Sequence, residues 1–141
     1  MPSVFTRIID GELPGAFVWR DPQCVGILSI NPVRPGHTLV VPRVEIDHWI
    51  DLEPPLAAHL MTVAQAIGRA QQRAYSPQRI GLLIAGLEVP HMHLHVMPIV
   101  SDESDLHLDR ATTATPEELA TNATKIRAAL RADGADGVSD S

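Results

Sequence analysis

Val89-Pro90-His91-Met92-His93-Leu94-His95-Val96-Met97-Pro98 is the stretch that decides this chain. Apolar residues alternate with histidine in it, and a period of two is the pattern of a β-strand. A strand sends residues i, i+2 and i+4 to one face. His91, His93 and His95 then project together, about 6.5–7 Å from one to the next. Met92, Leu94 and Val96 turn to the opposite face. An apolar core rejects such a row, because each buried imidazole needs a hydrogen-bond partner. The row reads as a site.

The flanking sequence supplies the rest of a sheet. Ala16 to Arg20 and Cys24 to Ile30 read as strands around the turn Asp21-Pro22. Asn31-Pro32 and Pro35-Gly36 frame a tight connection into His37-Thr38-Leu39-Val40-Val41-Pro42, a β-branched third strand ended by proline. Arg79 to Ala85 is a further strand, and Gly86-Leu87-Glu88 leads directly into the histidine strand. Short connections favour antiparallel pairing. Val4 to Ile9 fits a helical turn or an extended arm. Between the third and fourth strands, Leu56, Leu60, Val63, Ile67, Ala70 and Ala74 recur at helical spacing from a start near Pro54-Pro55. A last helix starts at Thr115 as cap, with Pro116 first and Glu118 third, and buries Leu119, Ala123, Ile126 and Leu130. The expected fold is α+β: an antiparallel sheet of about five strands, two main helices on one face and the histidines on the other.

The 141 residues favour one domain. Its core is expected over 1–100, followed by a polar loop and the last helix over 101–132, and a disordered acidic tail over 133–141. A formal net charge of -6 speaks against attraction to nucleic acid or an anionic membrane. It leaves a small phosphorylated ligand open. The single cysteine, Cys24, has no partner for an internal disulfide, which fits a reducing cytosol. No leader opens the chain and no run approaches the ~20 apolar residues of a membrane span. A cytoplasmic protein is expected.

Three readings of the histidine row compete. It is a strand whose histidines are merely exposed, a metal site, or a nucleophilic centre. Zinc accepts imidazole, but the outer two residues lie roughly 13 Å apart on an ideal strand, too far for one ion to reach all three at about 2 Å. A free imidazole with pKa near 6.5 is largely neutral at pH 7 and attacks phosphorus well. Flanking histidines can hydrogen-bond the phosphoryl oxygens and relay a proton to the leaving group. His93, flanked on both sides, is the natural nucleophile.

The run His91-Met92-His93-Leu94-His95-Val96-Met97 resembles the signature of the histidine-triad (HIT) superfamily, and its Hint-like nucleotide hydrolases and transferases in particular. Phe5-Thr6-Arg7-Ile8-Ile9-Asp10-Gly11-Glu12-Leu13-Pro14 and Asn31-Pro32-Val33-Arg34-Pro35-Gly36-His37-Thr38-Leu39-Val40-Val41-Pro42 resemble two further blocks of that family, in the same order. The resemblance covers about residues 3–100. It implies a homodimer whose two sheets join into one. It also implies an enzyme that attacks the α-phosphorus of nucleoside phosphoramidates or dinucleoside polyphosphates and passes through a covalent nucleotidyl-histidine. By position, His93 is the nucleophile, His91 and His95 orient it and contact the phosphate, and His37 lines the phosphate pocket. Val4, Phe5, Ile8 and Ile30 match the apolar slot for the base.

The departures are as specific as the match. Ser29 stands where a ribose-binding aspartate is usual. Ile84 replaces an asparagine, and Leu87 and Glu88 replace a polar pair that contacts the α-phosphate or helps the leaving group. Ser3 and Thr6 occupy the places of a zinc-binding Cys-x-x-Cys pair, and Glu45 that of a further histidine, so neither metal nor cofactor is expected. His48, His59 and His107 match nothing; His59 is expected at the surface. The lost polar groups motivate an alternative, a nucleotide-binding sensor of the same fold with negligible catalysis.

Overall fold

Alternation along the strands sorts their side chains onto two covered faces. The computed structural model describes residues 1–100 and 107–141. Its strands are β1 (Phe17–Arg20), β2 (Cys24–Leu28), β3 (Thr38–Pro42), β4 (Arg79–Leu83) and β5 (Leu94–Ile99). They form an antiparallel sheet in the order β1-β2-β3-β5-β4. β2 and β3 are buried at every position. Cys24, Leu28, Val40, Leu94 and Val96 pack under the helices α2 (Pro54–Tyr75) and α3 (Pro116–Ala132). Val25, Ile27, Leu39 and Val41 face the other way, onto Phe5 of the short helix α1 (Val4–Ile9) and onto Phe17. A register shift between Phe17 and Trp19 puts both Val18 and Trp19 on the helix side.

The α+β architecture with two main helices on one face is as expected. The Val4–Ile9 segment resolves as a helix because Ser3 caps it: its hydroxyl accepts from the Thr6 N–H. α3 opens with the predicted capping box between Thr115 and Glu118. α2 stops at Ser76, which takes the left-handed conformation more usual for glycine. The true glycine requirement lies at Gly36, with φ +92 and the Tyr75 ring 2.5 Å from where a β-carbon would sit.

Two expectations need correction. The histidine strand begins only at Leu94, so His91 and His93 precede it. β3 ends at Pro42, which has no N–H to carry a ladder further. The lead-in is held instead by the Met92 N–H on the Ile46 carbonyl, at 2.7 Å. The second correction is the tail over 133–141, which is not disordered. Val138 bridges Trp19, the Arg20 N–H donates to the Gly137 carbonyl, and the Ser139 N–H donates to the Val18 carbonyl. A small acidic composition conceals the reason: any β-carbon at Gly137 would overlap the Trp19 indole, so glycine alone lets the tail lie there. Arg20 and Arg131 then hold Ser139 by its hydroxyl and carbonyl. The polar run 101–105 lies outside the described residues.

His59 is half-buried, and its Nε2 donates to Asp21 at 2.7 Å. Burial alone would raise the Asp21 carboxyl, but donors from Trp19, His59, Gln23 and Cys24 outweigh it and bring it down to about 2. This carboxylate ties the β1–β2 turn to α2. No described helix is long and apolar enough to cross a membrane.

Candidate active site

Each histidine of the row has a different set of partners, and the partners assign its tautomer. The His93 Nδ1 lies 3.0 Å from the His91 carbonyl, which can only accept, so Nδ1 carries the hydrogen. Its Nε2 lone pair has no partner among the described residues. The Val33 N–H donates to the His37 Nδ1 at 3.1 Å. His37 must then donate from Nε2, which lies 2.9 Å from the His95 Nδ1. His95 is left with its hydrogen on Nε2. The site thus pairs a free lone pair on His93 with a free N–H on His95, the two rings 4.9 Å apart between centroids.

Burial keeps these rings uncharged. His37 is pushed down to about 3 by burial, reinforced by His95 and His93. His95 falls to about 4, again by burial and then by His93. Burial lowers His93 as well, partly offset by the His91 carbonyl that its Nδ1–H meets. All three are neutral at pH 7.

His91 differs. It is fully buried, its Nε2 donates to the Pro42 carbonyl at 2.7 Å, and its Nδ1 accepts from the Ser3 hydroxyl at 2.5 Å. With both nitrogens engaged it has nothing to offer a phosphate, contrary to the contact expected of it; its carbonyl orients His93 instead. Glu45 anchors the far end of this chain, accepting from the Ser3 N–H and the Thr6 hydroxyl, each at 2.6 Å. These donors hold its carboxyl below the usual range.

A cavity of about 570 Å³ opens above His93, His95 and His37. Ser29 lines it too. None of the four residues expected to form the apolar slot lines the cavity. The Phe5 ring packs edge-on to His93, with centroids 4.8 Å apart, but Phe5 and Ile8 belong to the core cluster under the sheet. Val4 and Ile30 are exposed at 42% and 62% and do not line the cavity.

Sequence reasoning missed three contributors. Asn31 lies on the wall, as do Leu108, Asp109 and Ala111 from the region beyond the recognisable blocks. The hydrogen bonds that bring this region over show no sequence pattern: the Ala114 N–H donates to the Ile30 carbonyl, and the Thr113 hydroxyl to the Asn31 side chain. Gln71 is the third. It is fully buried on α2 and donates to the carbonyls of Gly36 and Val96, both at 2.9 Å. Those residues adjoin His37 and His95, so Gln71 sets their spacing from behind the sheet.

Comparison with known proteins agrees with this geometry. The HIT domain family matches residues 10–102. An uncharacterized HIT-like protein of Saccharolobus solfataricus is 31% identical over 111 residues, spanning 75% of this chain and 80% of its own. The adenylylsulfatase HINT3 of Arabidopsis thaliana is 30% identical over 100 residues, 67% of this chain and 51% of that protein. The crystal structure of a zinc-bound histidine triad family protein from Mycobacterium smegmatis superposes with a TM-score of 0.79 at 29% identity, covering 94% of this chain and 96% of that one. With its triad, its sheet and these relatives in agreement, the chain belongs to the HIT family.

Proposed function

We propose that this protein binds a nucleotide and catalyses hydrolysis or transfer at the α-phosphorus of a nucleoside phosphate derivative, with His93 as nucleophile. One observation carries this reading: the His93 Nε2 lone pair has no partner among the described residues, its ring lines the cavity, and it is aimed by the Nδ1–H on the His91 carbonyl. His95 presents Nε2–H beside it as a donor to the phosphoryl oxygens or the leaving atom. His37 holds His95 in that tautomer, and Ser29 offers a hydroxyl to the ribose. A relative named adenylylsulfatase supports chemistry on an adenylyl group. The test is release of nucleoside monophosphate from a panel of phosphoramidates and dinucleoside polyphosphates. His93→Ala is expected to lower kcat by about 10⁴-fold or more while leaving the melting temperature in place. Equal release by variant and wild type would remove the proposal.

Zinc does not fit this chain at the position where its metal-binding relatives carry it. Ser3, Thr6 and Glu45 offer two hydroxyls and one carboxylate beside His91, and these already satisfy one another. Hydroxyls are poor zinc ligands beside thiolate and imidazole. Here the Ser3 hydroxyl and the Pro42 carbonyl hold both nitrogens of His91.

One observation favours the second reading, a sensor with negligible turnover. Neither Leu87 nor Glu88 on the cavity wall supplies the donor that a phosphate wants, and Glu88 adds negative charge. Nucleotide binding in the calorimeter without monophosphate release from the same panel would select it.

The working form in this reading is a homodimer. The tail covers the β1 edge, so among the described residues β4 is the edge left open. Beside it runs an apolar groove of Met61, Ala64, Gly68, Ile80 and Leu82, with Met61 and Leu82 exposed. A second copy adding its own β4 antiparallel would cover both.

A further inference from the structure

We propose that the leaving group of the substrate carries a positive charge, which Glu88 and Asp109 receive at the mouth of the cavity. This rests on the catalytic reading above. It comes from the charges on the cavity wall and from the depth at which they sit. His93 lies at the floor, 8% exposed, and its Nε2 has no partner among the described residues. Its neighbours His37 and His95 are neutral. Among the described residues, the charged side chains lining the cavity are Glu88 and Asp109, both exposed. Among the described residues Glu88 has no partner, and Asp109 has only the exposed His107, at 3.8 Å. Nothing described on the wall neutralises them.

In-line displacement fixes what passes between them. The attacking and leaving atoms lie on opposite sides of the phosphorus. With the nucleophile at the floor, the leaving group points out through the mouth. A polyphosphate leaving there meets two carboxylates of its own sign. An amine bearing a second, ammonium-type charge meets complementary ones. In the first step the Nε2–P bond forms and the P–N bond breaks. The departing nitrogen takes up one proton from solvent at the cavity mouth, with the His95 Nε2–H steadying it as a hydrogen-bond donor. Water then attacks phosphorus and breaks the Nε2–P bond; its oxygen stays on the nucleoside monophosphate, one proton returns to solvent, and His93 is left neutral.

The experiment compares kcat/KM for three adenosine probes: a 5′-phosphoramidate of a diamine with its second amine free, the same compound with that amine acetylated, and diadenosine tetraphosphate. The free-amine probe is expected to exceed the acetylated one by roughly tenfold at low salt, with the tetraphosphate lowest. The advantage should shrink as salt rises. In the double variant Glu88→Gln, Asp109→Asn the ratio of the first two probes should fall toward one. Binding of the same probes to His93→Ala, which lacks the nucleophile, should keep the order seen in the wild type. Equal rates for the charged and acetylated probes would overturn the inference while leaving the catalytic reading intact, as would a ratio that the double variant does not change. Failure to turn over any probe, with no order in binding, would remove both.

Discussion

His91 and His93 stand two residues apart and have opposite parts because of what their ring nitrogens touch. Both His91 nitrogens are held by protein groups, whereas among the described residues His93 has only Nδ1 engaged. The sequence shows three imidazoles at strand spacing and singles out the middle one, but it cannot say which nitrogens are free. That depends on the Ser3 hydroxyl and the Pro42 carbonyl, far away along the chain. The same holds for Gln71, which reads as one more helix residue until its two carbonyl partners are seen. Gln71→Leu would remove the side-chain bonds to the Gly36 and Val96 carbonyls, at a cost of about 1–3 kcal/mol in denaturant unfolding. It should also lower kcat by roughly tenfold with little change in KM, because His37 and His95 lose their spacing rather than the substrate its contacts. The pH profile follows from burial. Lowering the His93 pKa keeps this ring neutral below the usual imidazole range. The acid limb of kcat/KM, which reports the free enzyme, should therefore fall below pH 6.5. A limb at or above that value would contradict the burial argument.

The elements were legible wherever periodicity and caps agree. The strand runs, the α2 stripe and the Thr115 capping box all emerge within a few residues of their predicted ends. The misses arise where a tertiary partner decides. The triad run alternates like a strand from Val89, but its pairing partner β3 stops at Pro42, and the lead-in takes a different set of bonds. The tail has neither periodicity nor apolar bulk, yet it closes the β1 edge because Gly137 fits against Trp19. Gly137→Ala tests that fit directly. The added methyl should displace the tail and speed hydrogen exchange at the amides of Arg20 and Ser139 by about tenfold or more, with α2 unaffected. Unchanged protection at those two amides would show that the tail does not depend on the glycine.

At the scale of the molecule, one sheet face carries the helices and the other carries the histidines, and among the described residues one edge is sealed and one open. The region after β5 falls largely outside the matched HIT domain, yet it supplies both the helix α3 and part of the cavity wall. The open β4 edge and its apolar groove predict association through that side. Leu82→Arg, placing a charge in the groove, should shift the protein from dimer to monomer in light scattering; a wild type that is already monomeric at micromolar concentration would remove the dimer.

The central claim is that the free His93 lone pair attacks phosphorus. It is tested most directly by intact-protein mass spectrometry after rapid acid quench in the presence of a nucleoside phosphoramidate. The account predicts a gain of one nucleoside monophosphoryl group, mapped to His93 and absent from His93→Ala. Turnover without that adduct, or an adduct on another residue, would contradict it.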